Sequence, residues 1–477
     1  MKKLLVVLLA FLLLFVYGDT YSQNKSNLSH SLLEVISNGA TQKGRVGAVV
    51  KSLKTGEYLF HYHPYDLFVP ASNMKVVISA AALSILKPEY KFRTEFYAGG
   101  KVADGIIYGD LYIKGYGDPV VTTEKLWFMA NEIKKLGIRE IRGGVVVDES
   151  FFDGVRYGPG WKEKWQGRDY SPPISALSLN FNTYEIKVLP GGVGQRPRVV
   201  VDPPGTDVTF INEAVTGKGR NKISVRKLKA SNTVVIRGTI PRSSEGSTFR
   251  FTVDEPALYT GSVLRTLLES LGMRVANKLV RSGRASYGVK PLYTYLSDPL
   301  QIIITLYNKW SINMIGENII KTLGTETRGM PGSWEKGTQV VTEFLYSLGL
   351  REGFNIVDGS GLSPLNQLSP YVLAEVLKYA HNNSSIGPEF ISSLSVGGID
   401  GTLRKRFKEP DIVRKVRAKT GYLDNISCIS GYVFTDAGDI LAVSILTNGI
   451  SGWRAKTIQN DFLGRLVECC ETNGEIR

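Results

Sequence analysis

The chain has 477 residues, 43% hydrophobic and 21% charged, with a formal net charge of +14. That balance excludes a long disordered or low-complexity protein, and the length predicts two to four structural units at roughly 150 residues each. Three Cys exclude a disulfide-stapled scaffold and a four-thiolate zinc site. Only four His, at positions 30, 61, 63 and 381, leave little room for a His-based triad or metal centre. The 50 Gly lack a triplet period and fit turn-rich structure. An excess of 58 Lys and Arg over 44 Asp and Glu calls for an anionic partner: nucleic acid, a membrane surface or an acidic polymer.

Lys2 and Lys3 precede an apolar run, Leu4 to Val16, and then the small polar stretch Gly18-Asp19-Thr20-Tyr21-Ser22. This is the pattern of a secretory signal over residues 1–22, too short for a comfortable bilayer span. Its removal leaves a net charge of +13, and no later segment reaches spanning length. The expectation is an exported protein, periplasmic or cell-wall associated. Export disfavours nucleic acid as the anionic partner and favours an envelope polymer. Cys428, Cys469 and Cys470 read as unpaired or buried thiols.

Val46–Leu53 and Glu57–His63 read as strands around the turn Lys54-Thr55-Gly56. Asn73–Leu83 is almost wholly apolar and Ala-rich, the pattern of a helix buried on all sides, ended by Pro88. From about Phe92 to Ala285 the character changes to short strands with Gly, Pro and basic loops, helical only near Leu126–Leu136 and Tyr259–Leu271. Leu306–Thr322 resumes helical periodicity as one run, followed by helices at Gly337–Leu348 and Pro370–Asn382. Arg414–Gly421, Ser427–Phe434 and Ile440–Thr447 read as strands, and Trp453–Cys470 as a closing helix. The simplest architecture is one α/β domain built from both chain ends, interrupted by a β-rich insertion.

Ser72-Asn73-Met74-Lys75 sets a hydroxyl and an amine three residues apart on one helix face. Ser72 lies in the first turn, where the helix dipole favours developing negative charge. A lysine in so apolar a helix is partly desolvated, which makes the neutral amine of a general base accessible. The same spacing recurs at Ser22/Lys25, Ser84/Lys87, Ser224/Lys227 and Ser333/Lys336. Respectively these fall in the cleavage zone, at a helix C-terminus, in an alternating strand and at a helix entrance. Ser311-Ile312-Asn313 supplies a hydroxyl and an amide suited to relay a proton and hold a substrate backbone, or an ordinary helix N-cap. Ser178-Leu179-Asn180 has the same form. Lys419-Thr420-Gly421 lies on a strand that can pair with an extended peptide while Lys and Thr meet a carboxylate.

In the order Ser-x-x-Lys, Ser-x-Asn, Lys-Thr-Gly, these motifs form the signature of penicillin-recognising acyl-serine enzymes. The chain resembles the D-alanyl-D-alanine carboxypeptidase/endopeptidase family, class C of the low-molecular-mass penicillin-binding proteins. The resemblance covers nearly all of the mature chain. It includes Phe68–Lys75, Gly109–Pro119, Val147-Asp148, Ile174–Asn180, Asp358–Ser363 and Asp400–Leu403, together with the long insertion between the first and second motifs.

The resemblance implies a serine DD-peptidase/β-lactamase-like domain at 23–91 and 286–477. It implies an inserted domain II at 92–174 and 254–285, and an inserted β-rich domain III at 175–253. It implies acylation of Ser72 by the penultimate D-Ala of a peptidoglycan stem peptide, with Lys75 as base and Ser311 and Asn313 in the proton relay and substrate contacts. Lys419 and Thr420 would face the terminal carboxylate, or that of a β-lactam antibiotic. The N–H groups of Ser72 and Tyr422, beside Gly421, would form the oxyanion hole, and Asp148 would meet the diamino acid of the stem. No cofactor, metal or nucleic acid is implied, nor a membrane span after signal cleavage. Ile312, where the family often has a polar residue, and Pro364, where it often has a basic one, depart from the pattern. The competing readings are a β-lactamase-like hydrolase and a non-catalytic peptidoglycan-binding protein. His61-x-His63 lacks a third metal ligand at recognisable spacing, and Asp148, Glu149 and Asp153 read as solvated acids at a strand end.

Overall fold

The computed structural model describes residues 26–40, 44–228, 231–286 and 288–468. The expected signal, Cys469 and Cys470 lie outside the described residues. Among the described residues, no helix is long and apolar enough to cross a membrane. The chain divides into two compact units. The first comprises Met1–Pro88, Ile304–Ser311 and Val341–Arg477; the second comprises Glu89–Ile303 and Ile312–Val340.

The first unit is built on one antiparallel sheet of six strands: β1 (Arg45–Ser52), β2 (Tyr58–Tyr62), β3 (Ser395–Val396), β4 (Val416–Leu423), β5 (Ile426–Phe434) and β6 (Ile440–Asn448). Their order is β2-β1-β6-β5-β4-β3, so the first strand of the chain pairs with the last, from Arg45 opposite Asn448 to Ser52 opposite Leu441. Period-two alternation assigns the faces. Val46, Ala48, Val50, Ala418, Ile429, Val433 and Val443 share a core with Leu32 and Ile36 of helix 26–39 and with Phe462 and Leu466 of helix Gly452–Glu468. On the opposite face, the Tyr432 hydroxyl donates to the Leu377 carbonyl of helix Pro370–Asn382. Lys419 and Gly421 alternate with Ala418 and face the same side as Tyr432. Helix 26–39 was not expected from the sequence.

In the second unit, a five-stranded sheet runs Val280–Ser282, Val145–Asp148, Leu111–Gly115, Arg93–Ala98, Tyr293–Leu296, with smaller sheets between residues 183 and 252. One apolar core joins Phe96, Ile113 and Val147 to Ile186, Val234 and Ile236 of the strand-rich part and to Leu264 and Leu268 of helix Pro256–Ser270.

The single helical run expected over Leu306–Thr322 is two helices, Leu300–Trp310 and Asn313–Arg328. Ser311, at φ +58°, interrupts them in left-handed backbone. Residues 286–303 and 312–340, placed with the chain ends by the sequence reading, group with the inserted segment instead. The buried polar side chains of helix Asn313–Arg328 supply a reason. Asn318 donates to the Gly117 carbonyl at 3.0 Å, and Lys321 pairs with Asp153 at 2.6 Å beneath the Trp334 ring. Such groups are costly to bury unless their partners travel with them.

Candidate active site

The nucleophile candidate sits on a sharply turned entrance. A single 3-10 turn, Ala71–Asn73, leads into helix Met74–Leu86, whose residues Met74 to Leu83 are all buried. Ala71 is held at φ +46°, unfavourable for a side chain bearing Cβ, with no exposed surface. Its carbonyl abuts Gly361, where an added Cβ would fall 1.8 Å from the Ala71 oxygen. Ser72 is partly exposed; Lys75, one turn on, is fully buried. Lys75 Nζ donates to Ser72 Oγ at 2.9 Å and to the Ser360 carbonyl at 2.6 Å, and lies 5.4 Å from the Tyr307 ring centre.

The Ser360 carbonyl is aimed by a loop folded around one buried carboxylate. Asp358 Oδ1 accepts from Gly361 N–H at 2.7 Å and from Asn366 Nδ2 at 2.8 Å, and Oδ2 accepts from Ser363 N–H at 2.6 Å. Asn366 Oδ1 in turn accepts from Val357 N–H. Helix Leu300–Trp310 braces the same region with three consecutive side chains. The Tyr307 hydroxyl donates to the Gly359 carbonyl, Asn308 bonds Ser79 and Ser393, and Lys309 pairs with Asp400 at 2.6 Å.

Beyond these, Ser311 Oγ accepts from Lys419 Nζ at 3.0 Å, so this serine does not cap the following helix, whose N-cap is Ile312 with no side-chain bond. Lys419, on β4, also donates to the Thr420 carbonyl, and Thr420 Oγ1 bonds Thr402 Oγ1 at 2.8 Å. Gly421 explains how β4 comes so close. A Cβ there would lie 2.6 Å from the Pro70 oxygen and 3.1 Å from the Ser72 nitrogen. Tyr422 turns its ring outward against Gly452 and Lys456. The first unit therefore gathers Ser72, Lys75, Ser311, Lys419, Thr420 and Gly421.

Asn313 and Asp148 belong to the second unit. Asn313 donates to the Tyr170 carbonyl at 2.8 Å. Asp148 is 1% exposed; it accepts from the N–H groups of Ser150 and Ala285 and lies 3.4 Å from Lys114. The acids expected to be solvated are thus engaged. For Glu149, burial raises the carboxyl, but hydrogen bonds from Arg156 and Ser175 outweigh it and leave it below the usual range. Cys428 is buried, and burial pushes its thiol up to about 12.

Burial first, and then the charge of Lys75, hold Lys419 well below the ordinary ammonium range. The folded chain therefore binds fewer protons there than the unfolded chain, whose lysine titrates near ~10.4. Stability gained from this site rises with pH across the interval between the lowered value and the unfolded one. Urea titrations at stepped pH should show a steeper rise for wild type than for Lys419→Met. Equal slopes would contradict the shift.

Asp358, Asn366, Tyr307 and Lys309 carried no role in the sequence reading. A signal was present: Asp, Gly, Ser and Asn crowd residues 358–366, the chemistry of a side-chain-bonded turn.

The family model for the D-Ala-D-Ala carboxypeptidase 3 (S13) family matches residues 28–468. A D-alanyl-D-alanine carboxypeptidase of Actinomadura sp. is 31% identical over 467 residues, covering 94% of this chain and 86% of its own. The D-alanyl-D-alanine carboxypeptidase DacB of Haemophilus influenzae is 26% identical, covering 85% of this chain and 86% of its own. The crystal structure of penicillin binding protein 4 from Haemophilus influenzae superposes with a TM-score of 0.78 at 23% identity, covering 91% of this chain and 99% of that one. The fold is therefore the expected penicillin-binding one. With the family match spanning nearly the whole chain, the protein belongs to the D-Ala-D-Ala carboxypeptidase 3 (S13) family of serine-type D-Ala-D-Ala carboxypeptidases.

Proposed function

We propose that this enzyme cleaves the terminal D-Ala-D-Ala bond of peptidoglycan stem peptides through an acyl-Ser72 intermediate, as an exported protein of the periplasm or cell wall. The observation that carries the reading is the 2.9 Å contact between Ser72 Oγ and a buried Lys75 fixed from behind by the Ser360 carbonyl. Lys75 takes the Ser72 proton as Oγ bonds the penultimate D-Ala carbonyl carbon. The C–N bond then breaks, and the proton passes to the leaving D-Ala amine with Ser311 and Asn313 as relay and substrate contacts. Water next attacks the ester and frees Ser72. The N–H groups of Ser72 and Tyr422 stabilise the oxyanion, a role supported by the close approach of Gly421 to the Ser72 nitrogen. Lys419 and Thr420 receive the terminal carboxylate or that of a β-lactam. Asp148, buried beside Lys114 at 3.4 Å, lines the pocket for the side chain of the diamino acid. Residues 92–174 with 254–285, and residues 175–253, are the two inserted domains of this reading.

The β-lactam link is supported by a Haemophilus influenzae relative solved in complex with a β-lactam, at 22% identity and a TM-score of 0.73. Mass spectrometry on a soluble pentapeptide and on a cross-linked stem dimer tests the activity. Release of D-Ala from the first defines the carboxypeptidase, and resolution of the second adds an endopeptidase. A purified enzyme that shortens neither substrate refutes the proposal.

A further inference from the structure

Residues 175–253 hold 12 Lys and Arg against 5 Asp and Glu, half of the net charge of the chain in a sixth of its length. Strands Val215–Gly217 and Thr239–Pro241 run parallel at one end of this strand-rich part. The loops that leave them are tied together. Arg242 N–H donates to the Gly217 carbonyl at 3.2 Å, Lys222 N–H to the Thr239 carbonyl at 2.8 Å, and Asn221 Nδ2 to Ser247 Oγ at 2.7 Å. This brings Lys218, Arg220, Lys222 and Arg242 to one surface, all four exposed. Glu245 is the sole acid in residues 217–222 and 241–246.

Two other cations of the module are paired within it, Arg237 with Glu213 at 2.6 Å and Arg250 with Glu185 at 2.6 Å. Among the described residues, the four clustered cations have no such acid. Clustered like charges repel one another most strongly within the Debye length, about 8 Å at physiological ionic strength. A polyanion relieves that repulsion and releases its own counterions.

We infer that this surface docks the wall polymer itself, through the carboxylates of peptidoglycan stem peptides, and so holds the enzyme on its substrate between turnovers. The inference rests on the proposed activity for the identity of the polymer, but not for the surface. It is tested with full-length Ser72→Ala protein, which leaves the polymer undigested, on sacculi stripped of lipid and of phosphate polymers. Added to that chain, Lys218→Gln, Arg220→Gln, Lys222→Gln and Arg242→Gln together should weaken retention by roughly tenfold or more at low salt and flatten its salt dependence. Arg220→Lys with Arg242→Lys, which keeps the charge, should retain binding. The same four Gln changes in the Ser72 enzyme should leave penicillin acylation unaltered, which also excludes misfolding. Unchanged retention on sacculi overturns the inference. So does binding confined to phosphatidylglycerol vesicles, which would make the surface a membrane contact. A wild type that penicillin fails to label would sink the proposed activity, a result separable from sacculus binding.

Discussion

Replacing Ser72 by Ala is expected to abolish covalent labelling by a fluorescent penicillin while leaving the fold in place. The bond to the label is made by Oγ, and no other described serine shares its setting of a helix entrance with a buried amine one turn on. The cost to stability should be small. Ser72 is partly exposed, and Lys75 keeps the Ser360 carbonyl when Oγ is removed, so the change belongs with surface truncations of about 0.5 kcal/mol. Acylation, by contrast, should fall by at least ~10³-fold, since removing the nucleophile of an acyl-transfer unit costs up to about 10⁶ in rate. Gel fluorescence at matched loading, with thermal melting alongside, separates the two effects. Persistent labelling of Ser72→Ala would move the nucleophile elsewhere, and an unlabelled wild type would remove the penicillin-binding assignment.

The serine–lysine pair was legible in sequence because two local facts coincide there, a helix start and an apolar run. The look-alikes among the described residues are absorbed by ordinary structural duties, while Ser22/Lys25 lies outside them. Lys87 Nζ caps its helix through the Ser84 carbonyl, Lys227 pairs with Asp254, and Ser333 Oγ accepts from Lys336 N–H at a helix entrance. Asn180 bonds both the backbone and the hydroxyl of Thr123 at the start of helix Thr123–Lys135. The sheet strands were visible for the same kind of reason, an alternation that needs no knowledge of partners. What stayed hidden depends on distant segments. The break at Ser311 is invisible to periodicity, because apolar spacing continues through it while the backbone turns left-handed. Helix 26–39 owes its place to packing against a helix more than four hundred residues later. The destination of helix Asn313–Arg328 was likewise set by its buried Asn318 and Lys321, whose partners lie near residues 117 and 153.

Asp358 is the hidden residue with the largest expected effect. Its carboxylate is fully buried and collects two backbone N–H groups and the Asn366 amide, and those bonds shape the loop that presents the Ser360 carbonyl to Lys75. Asp358→Ala strands three buried donors, each worth about 1–3 kcal/mol when left unsatisfied, so stability should fall by several kcal/mol. Asp358→Asn is the sharper test, because it keeps the volume while turning one acceptor into a donor facing an N–H. The loop should then relax and let the Lys75 amine swing from Ser72 Oγ. A displacement of about 1 Å at a reacting group is enough to cost 10²-fold in rate. Penicillin acylation by Asp358→Asn should therefore slow by about 10²-fold at a temperature where melting shows the chain folded. Because the defect lies in where the base is held, its pH–rate profile should shift as well as drop. A folded Asp358→Asn enzyme with wild-type acylation rates and an unaltered profile would show that Lys75 is held by its helix alone, and that the Asp358 loop serves stability without positioning the base.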